Sequence, residues 1–86
     1  MTYSIELSRS AHKALKDIPH GDVKKIRDKI EKLKKNPLPN GCEKLEGNDT
    51  LYRIRSGDYR VIYQIFSKRL IILIIKIGHR REVYRY

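Results

Sequence analysis

The second half of this chain consists of three strand-length apolar segments separated by two turns of three residues, and that spacing leaves little topological freedom. Leu51 to Arg55, Tyr59 to Phe66 and Leu70 to Ile77 are rich in β-branched and aromatic residues, with Ser56-Gly57-Asp58 and Ser67-Lys68-Arg69 between them. Connections this short can join only antiparallel neighbours, because a parallel crossover needs roughly a dozen residues or more. The third segment is apolar on both faces until Lys76. It is therefore expected in the sheet interior, covered by helices on at least one side.

The first half must supply that cover. Tyr3 to Leu7 alternates weakly and reads as a short strand. Ser8 or Ser10 can cap a helix in which Ala11, Ala14, Leu15 and Ile18 share a face, closed by Pro19-His20-Gly21. Asp22 is the expected N-cap of a second helix carrying Val23, Ile26, Ile30 and Leu33 at spacings of three and four, ending at Asn36-Pro37. Pro37 to Asn48 reads as an irregular connection. The expected fold class is α+β: an N-terminal strand, an antiparallel helix pair, then a three-stranded antiparallel meander forming a small curved sheet. A length of 86 residues has room for one domain spanning 1–86.

Charge narrows the function. The formal net charge is +10, which points to polyanions or an acidic protein as partners. The excess is uneven: residues 1–50 carry net +3, mostly through lysines, whereas residues 51–86 carry net +7, with seven arginines and only two acidic residues. Guanidinium grips phosphate in two-point geometry, so arginines without acidic company suggest a phosphate surface. Five of the six tyrosines, Tyr52, Tyr59, Tyr63, Tyr84 and Tyr86, share this half. They suit base stacking, or simply strands. A single cysteine, Cys42, excludes an intramolecular disulfide and fits a reducing compartment. The longest apolar run, Leu70 to Ile75, is too short to cross a membrane and no secretory signal opens the chain. A cytoplasmic protein without a membrane partner is expected.

Alternation places Arg53 and Arg55 on one face of the first segment, with Arg60 and Gln64 on the second, opposite Tyr52, Ile54, Val61, Tyr63 and Ile65. Gly78 to Tyr86 adds His79, Arg80, Arg81, Tyr84, Arg85 and Tyr86. Cleaving RNA takes a base for the 2′-OH proton, cations for charge growing on the phosphate, and an acid for the departing 5′-oxygen. Arginines supply the cations but keep their protons. His79 is the histidine of the basic half, suited to acid or base work or to ordering a turn and contacting phosphate. His12 and His20 fall on the helical half and read as surface residues. Neither metal-ligand spacing nor a Gly-rich phosphate loop is present, so no cofactor, metal or small-molecule ligand is expected.

Lys44-Leu45-Glu46-Gly47, Leu51-Tyr52-Arg53-Ile54-Arg55-Ser56-Gly57-Asp58-Tyr59-Arg60-Val61-Ile62-Tyr63 and Ile77-Gly78-His79-Arg80-Arg81-Glu82-Val83-Tyr84, in this order, resemble the RelE-like toxins of prokaryotic toxin–antitoxin pairs. The resemblance implies a metal-independent, ribosome-dependent endoribonuclease that cuts mRNA in the decoding site by 2′-OH attack, leaving a 2′,3′-cyclic phosphate. By the same resemblance, Arg53 and Arg55 stand at the scissile phosphate, the position of Arg55 carrying base-like work. Arg60 stabilises charge, Arg80 lies beside the leaving oxygen, and Tyr84 orients the attacked nucleotide. Arg53, Arg55, Arg60, Arg81, Arg85 and Tyr86 would bind RNA. Relatives often carry lysines where this chain has Arg53 and Arg55, which leaves the base to His79 or to electrostatics and 2′-OH positioning alone. A cognate acidic RelB-like antitoxin is the implied partner, beside the ribosome with mRNA in its decoding site. The competing readings are a ParE-type toxin that inhibits DNA gyrase by protein binding, and a non-catalytic RNA-binding or repressor subunit.

Overall fold

A computed structural model describes residues 2–45, 47 and 50–79. Its elements in chain order are β1 (Ser4–Leu7), α1 (Arg9–Asp17), α2 (His20–Leu33), β2 (Glu43–Lys44), β3 (Leu51–Ser56), β4 (Tyr59–Phe66) and β5 (Ile71–His79). They form a five-stranded sheet in the order β1-β5-β4-β3-β2 with two helices, an α+β fold as expected. The β3-β4-β5 meander is antiparallel, while β1 runs parallel to β5 and makes it interior.

Local chemistry sets the boundaries. Gly57 takes φ +60° at the first of two turn positions between Ser56 and Tyr59, the backbone a tight hairpin needs there. Leu70 adopts φ +53°, so β5 begins one residue later than its apolar run. The Leu70 carbonyl nonetheless accepts from Ser4 N at 2.8 Å, starting the β1 ladder.

Of the two serines, Ser8 is the cap: its Oγ accepts from Ala11 N at 3.0 Å. The same hydroxyl donates to the Ile75 carbonyl at 2.6 Å, pinning α1 to β5. Helix α2 starts two residues before Asp22, because the Pro19 carbonyl accepts from both Asp22 N and Val23 N at 3.0 Å. Asp22 therefore lies in the first turn, where its charge favours the helix dipole, instead of capping it. The regular helix closes at Leu33, and turn hydrogen bonds carry the chain through Asn36.

The core lies between the helices and one face of the sheet. Ala11 and Leu15 from α1 and Ile26, Ile30 and Leu33 from α2 pack with Ile54, Val61, Tyr63, Ile65, Ile72, Ile74 and Ile77. Tyr63 is fully buried, stacks on Tyr52 with centroids 6.0 Å apart, and donates its hydroxyl to the Pro37 carbonyl at 2.7 Å. Burial pushes the Tyr63 phenol above its ordinary pKa, with Cys42 adding to the rise. Tyr52 and Tyr59 also pack against this core. These three tyrosines therefore serve the helix side and are not a base-stacking surface.

A β-bulge in β5 decides what reaches the other face. Ile62 pairs with Lys76 but Tyr63 pairs with Ile74, so Ile75 has no counterpart on β4. Beyond it the alternation inverts: Ile77 turns to the core while Lys76 and Gly78 fall into register with Ile62 and Arg60.

Candidate functional site

The sheet face away from the helices gathers the basic side chains. Arg55 pairs directly with Arg60, and Arg53 with Ile62, which pairs in turn with Lys76. Directly opposed residues project to the same side, so Arg53, Arg55, Arg60 and Lys76 share one surface. Ile62 is fully buried yet lies outside the core cluster, forming a floor flanked by Arg53 and Lys76. Like charges directly opposed cost stability, roughly 0.2–1 kcal/mol per pair. The Arg55–Arg60 pairing is a cost a merely structural sheet could avoid.

Glu43 offsets part of it. It pairs with Arg53 on the edge strand β2, and its carboxylate accepts from Arg53 Nη2 at 3.0 Å. Its other oxygen stands 3.7 Å from Arg55 Nη2. The Arg53 side chain is only 19% exposed, against 62% for Arg55. Arg53 Nε is buried without a hydrogen-bond partner. A buried donor left unpaired costs about 1–3 kcal/mol, so natural folds rarely keep one. Arg60 reaches its neighbour's backbone, Nη1 donating to the Tyr59 carbonyl at 3.4 Å.

His79 does not join this surface. It pairs with Tyr59 on the helix side, rings edge to face at 5.9 Å, lining a cleft with Ala14, Asp17 and Ile18. The backbone layer of the sheet separates it from the three arginines, and the cause is the Ile75 bulge. Strict alternation from Leu73 would have put position 79 on the arginine side. Arg80, Arg81, Tyr84, Arg85 and Tyr86 lie outside the described residues. Sequence reasoning missed Glu43 and Lys76. The first sits in a two-residue strand within a stretch that reads as loop, and the second owes its face to the bulge. Among the described residues, no group of three or more His, Cys, Asp or Glu could hold a metal ion, and no helix is long and apolar enough to cross a membrane.

The model of the family described as "ParE toxin of type II toxin-antitoxin system, parDE" matches residues 5–84. The chain belongs to the RelE/ParE superfamily of type II toxins. A RelE1 protein of Methanocaldococcus jannaschii is 38% identical over 88 residues, covering 99% of this chain and 98% of the relative. The mRNA interferase toxin RelE of Escherichia coli is 26% identical, covering 98% of this chain and 92% of its own. Among solved structures, the archaeal RelE–RelB complex from Pyrococcus horikoshii OT3 superposes with a TM-score of 0.83 at 35% identity, covering 93% of this toxin and 97% of that chain.

Proposed function

We propose that this toxin is an endoribonuclease that cuts messenger RNA in the decoding site of the ribosome, with Arg53, Arg55 and Arg60 holding the scissile phosphate. The observation that carries this reading is the set of guanidiniums on one surface: Arg55 pairs directly with Arg60, Arg53 lies beside them braced by Glu43, and the Arg55 side chain is 62% exposed. A phosphate oxygen is the acceptor such donors take in two-point geometry. The name mRNA interferase on a relative aligned over 98% of this chain supports the same chemistry.

In the reaction the RNA's own 2′-oxygen attacks the phosphorus, the 5′-oxygen departs, and a 2′,3′-cyclic phosphate and a 5′-OH remain. Charge grows on the phosphate oxygens, and fixed guanidinium donors lower that barrier, each worth about 10²–10³ in rate. Guanidiniums do not take the 2′-OH proton. With His79 across the sheet, the rate rests on holding the attacking oxygen, phosphorus and leaving oxygen in line and on electrostatics. Arg80 beside the leaving oxygen and Tyr84 against the attacked nucleotide enter on the family resemblance alone.

An antitoxin is the partner, as RelB is of the Pyrococcus horikoshii relative. We read it as acidic and RelB-like, folding over a surface of a chain with net charge +10. The test is induction followed by primer extension on cellular messages. Codon-spaced 5′ ends are expected, falling about 10²–10³-fold in rate for Arg53→Ala and lost for Arg80→Ala and Tyr84→Phe. Intact messages with DNA damage would favour gyrase inhibition, and intact messages on toxin-bound ribosomes would favour a non-catalytic RNA binder.

A further inference from the structure

The cleavage proposed for this surface frees the proton of an attacking 2′-OH, and none of Arg53, Arg55 or Arg60 can accept it, because guanidinium stays protonated. His79 lies on the other face of the sheet. Among the described residues, two ionisable groups of other kinds stand in register with the arginines: Glu43, opposite Arg53, and Lys76, opposite Ile62.

Glu43 is already engaged. Its carboxylate oxygens lie 3.0 Å from Arg53 Nη2 and 3.7 Å from Arg55 Nη2, and it sits on the edge strand, so Arg53 stands between it and the middle of the sheet. Lys76 is placed on the opposite flank, on β5 beside the strand that carries Arg60. Arg60 pairs with Gly78 and Ile62 with Lys76, so Arg60 and Lys76 are diagonal neighbours, roughly 7–8 Å apart in the backbone. A flexible four-carbon stem spans that gap, and Gly78 brings no side chain of its own into it.

The surroundings of Lys76 are cationic on one side and uncharged on the other. Arg60 on β4 and Arg53 and Arg55 on β3 share its face, with Glu43 on β2 beyond them. Fully buried Ile62 lies directly across, and the next pairing along this face, Gln64 with Leu73, is neutral, with Glu6 of β1 opposite Leu73. The Lys76 side chain itself is half-buried. Lysines act as bases or nucleophiles where other cations and apolar surface surround them, and arginines in the same place do not.

We propose that the Lys76 amine takes the 2′-OH proton in the cleavage reaction. The proposal rests on the mRNA-cleaving reading for its substrate. The neutral amine accepts the proton as the 2′-oxygen bonds to phosphorus and the bond from phosphorus to the 5′-oxygen breaks. The 5′-oxygen leaves with the bonding pair and takes a proton from water. The hydroxide so formed recovers the proton from the Lys76 ammonium, which regenerates the amine. The bulge at Ile75 is the structural cause, since strict alternation along β5 would send position 76 to the helix side.

The experiment follows single-turnover cleavage on message-programmed ribosomes across neutral and mildly alkaline pH for the full-length toxin and for K76R, K76Q and K76A. Anisotropy with a single-stranded RNA oligonucleotide reports binding, and thermal melts report folding. The parent rate rises with pH and levels off as the amine becomes neutral. K76R keeps the charge, the RNA affinity and the melting temperature, yet cuts about 10²–10⁴-fold more slowly, the usual contribution of a general base. Its rate climbs with hydroxide without levelling, and K76Q behaves alike. A K76R rate and pH profile equal to the parent's would make Lys76 a neutraliser of phosphate charge and overturn the proposal, as would a K76Q profile that keeps the plateau. Where K76R disturbs the fold, K76A decides: a rate restored by ethylamine in proportion to the neutral amine supports the base, and a rate indifferent to it overturns the assignment. A parent that binds ribosomes but leaves message intact overturns the nuclease reading together with this proposal, whereas a parent that cuts no faster than K76R overturns this proposal alone.

Discussion

Glu43→Gln probes the arginine surface most directly. The substitution keeps size, strand pairing and an acceptor oxygen but removes the charge held 3.0 Å from Arg53 and 3.7 Å from Arg55. A phosphate seated on the arginine surface beside Arg55 would stand on the order of 7 Å from that carboxylate, the separation at which the Coulomb energy is taken. At that distance two unit charges repel by about 0.6 kcal/mol in water and about 1.2 kcal/mol at an effective dielectric near 40. Removing the repulsion should tighten RNA binding about three- to eightfold and steepen its salt dependence by about 0.7. The lost ion pair is half exposed, with Glu43 at 46%, and costs about 0.5 kcal/mol, or about 2–4 °C in Tm for a domain this small. Anisotropy with single-stranded RNA, single-turnover cleavage on programmed ribosomes and calorimetry measure the three quantities. Binding that weakens would refute the competition argument. A saturating rate that collapses with binding intact would make Glu43 a proton acceptor in the reaction and not a brace for the arginines.

The other expectations concern the scaffold and the displaced histidine. Ser8→Ala should cost about 2 kcal/mol, combining a lost cap and a lost hydrogen bond to the Ile75 carbonyl, seen as a Tm drop of about 8–15 °C; an equal drop for Ser10→Ala would contradict it. The Tyr63 phenol holds its proton above its ordinary value, so its contribution is fully present below about pH 10 and falls by about 1.4 kcal/mol per unit above that. Tyr63→Phe should lose about 1 kcal/mol at neutral pH and show a shallower alkaline decline in denaturant titrations; parallel declines would count against the assignment. His79→Ala should leave the saturating cleavage rate within about twofold, and a loss of a hundredfold would place the imidazole in the chemistry after all.

The meander was legible because its turns are short and its strands rich in β-branched residues, a local pattern that tertiary contacts had no reason to override. Tyr59 to Phe66 coincides with β4, and the arginine face followed from alternation alone. What stayed hidden had non-local causes. The pairing of β1 with β5 joins residues nearly seventy positions apart, and the two-residue β2 is defined by its pairing with Tyr52 and Arg53 of β3. The bulge has no glycine to mark it, since Ile75 stands in an unbroken apolar run. One unpaired residue there exchanged Lys76 for His79 on the arginine face. That Arg53 and Arg55 share one face was readable, whereas the Glu43 brace needed coordinates.

The parallel rung between β1 and β5 also governs when this molecule becomes dangerous to its maker. Ser4 must wait for Ile71, so nothing synthesised before β5 emerges can close the sheet on which the arginines stand. An interrupted translation product is a soft, incomplete peptide for proteases to clear. The finished toxin fold is thereby withheld for most of the journey, leaving an antitoxin time to be waiting at the exit.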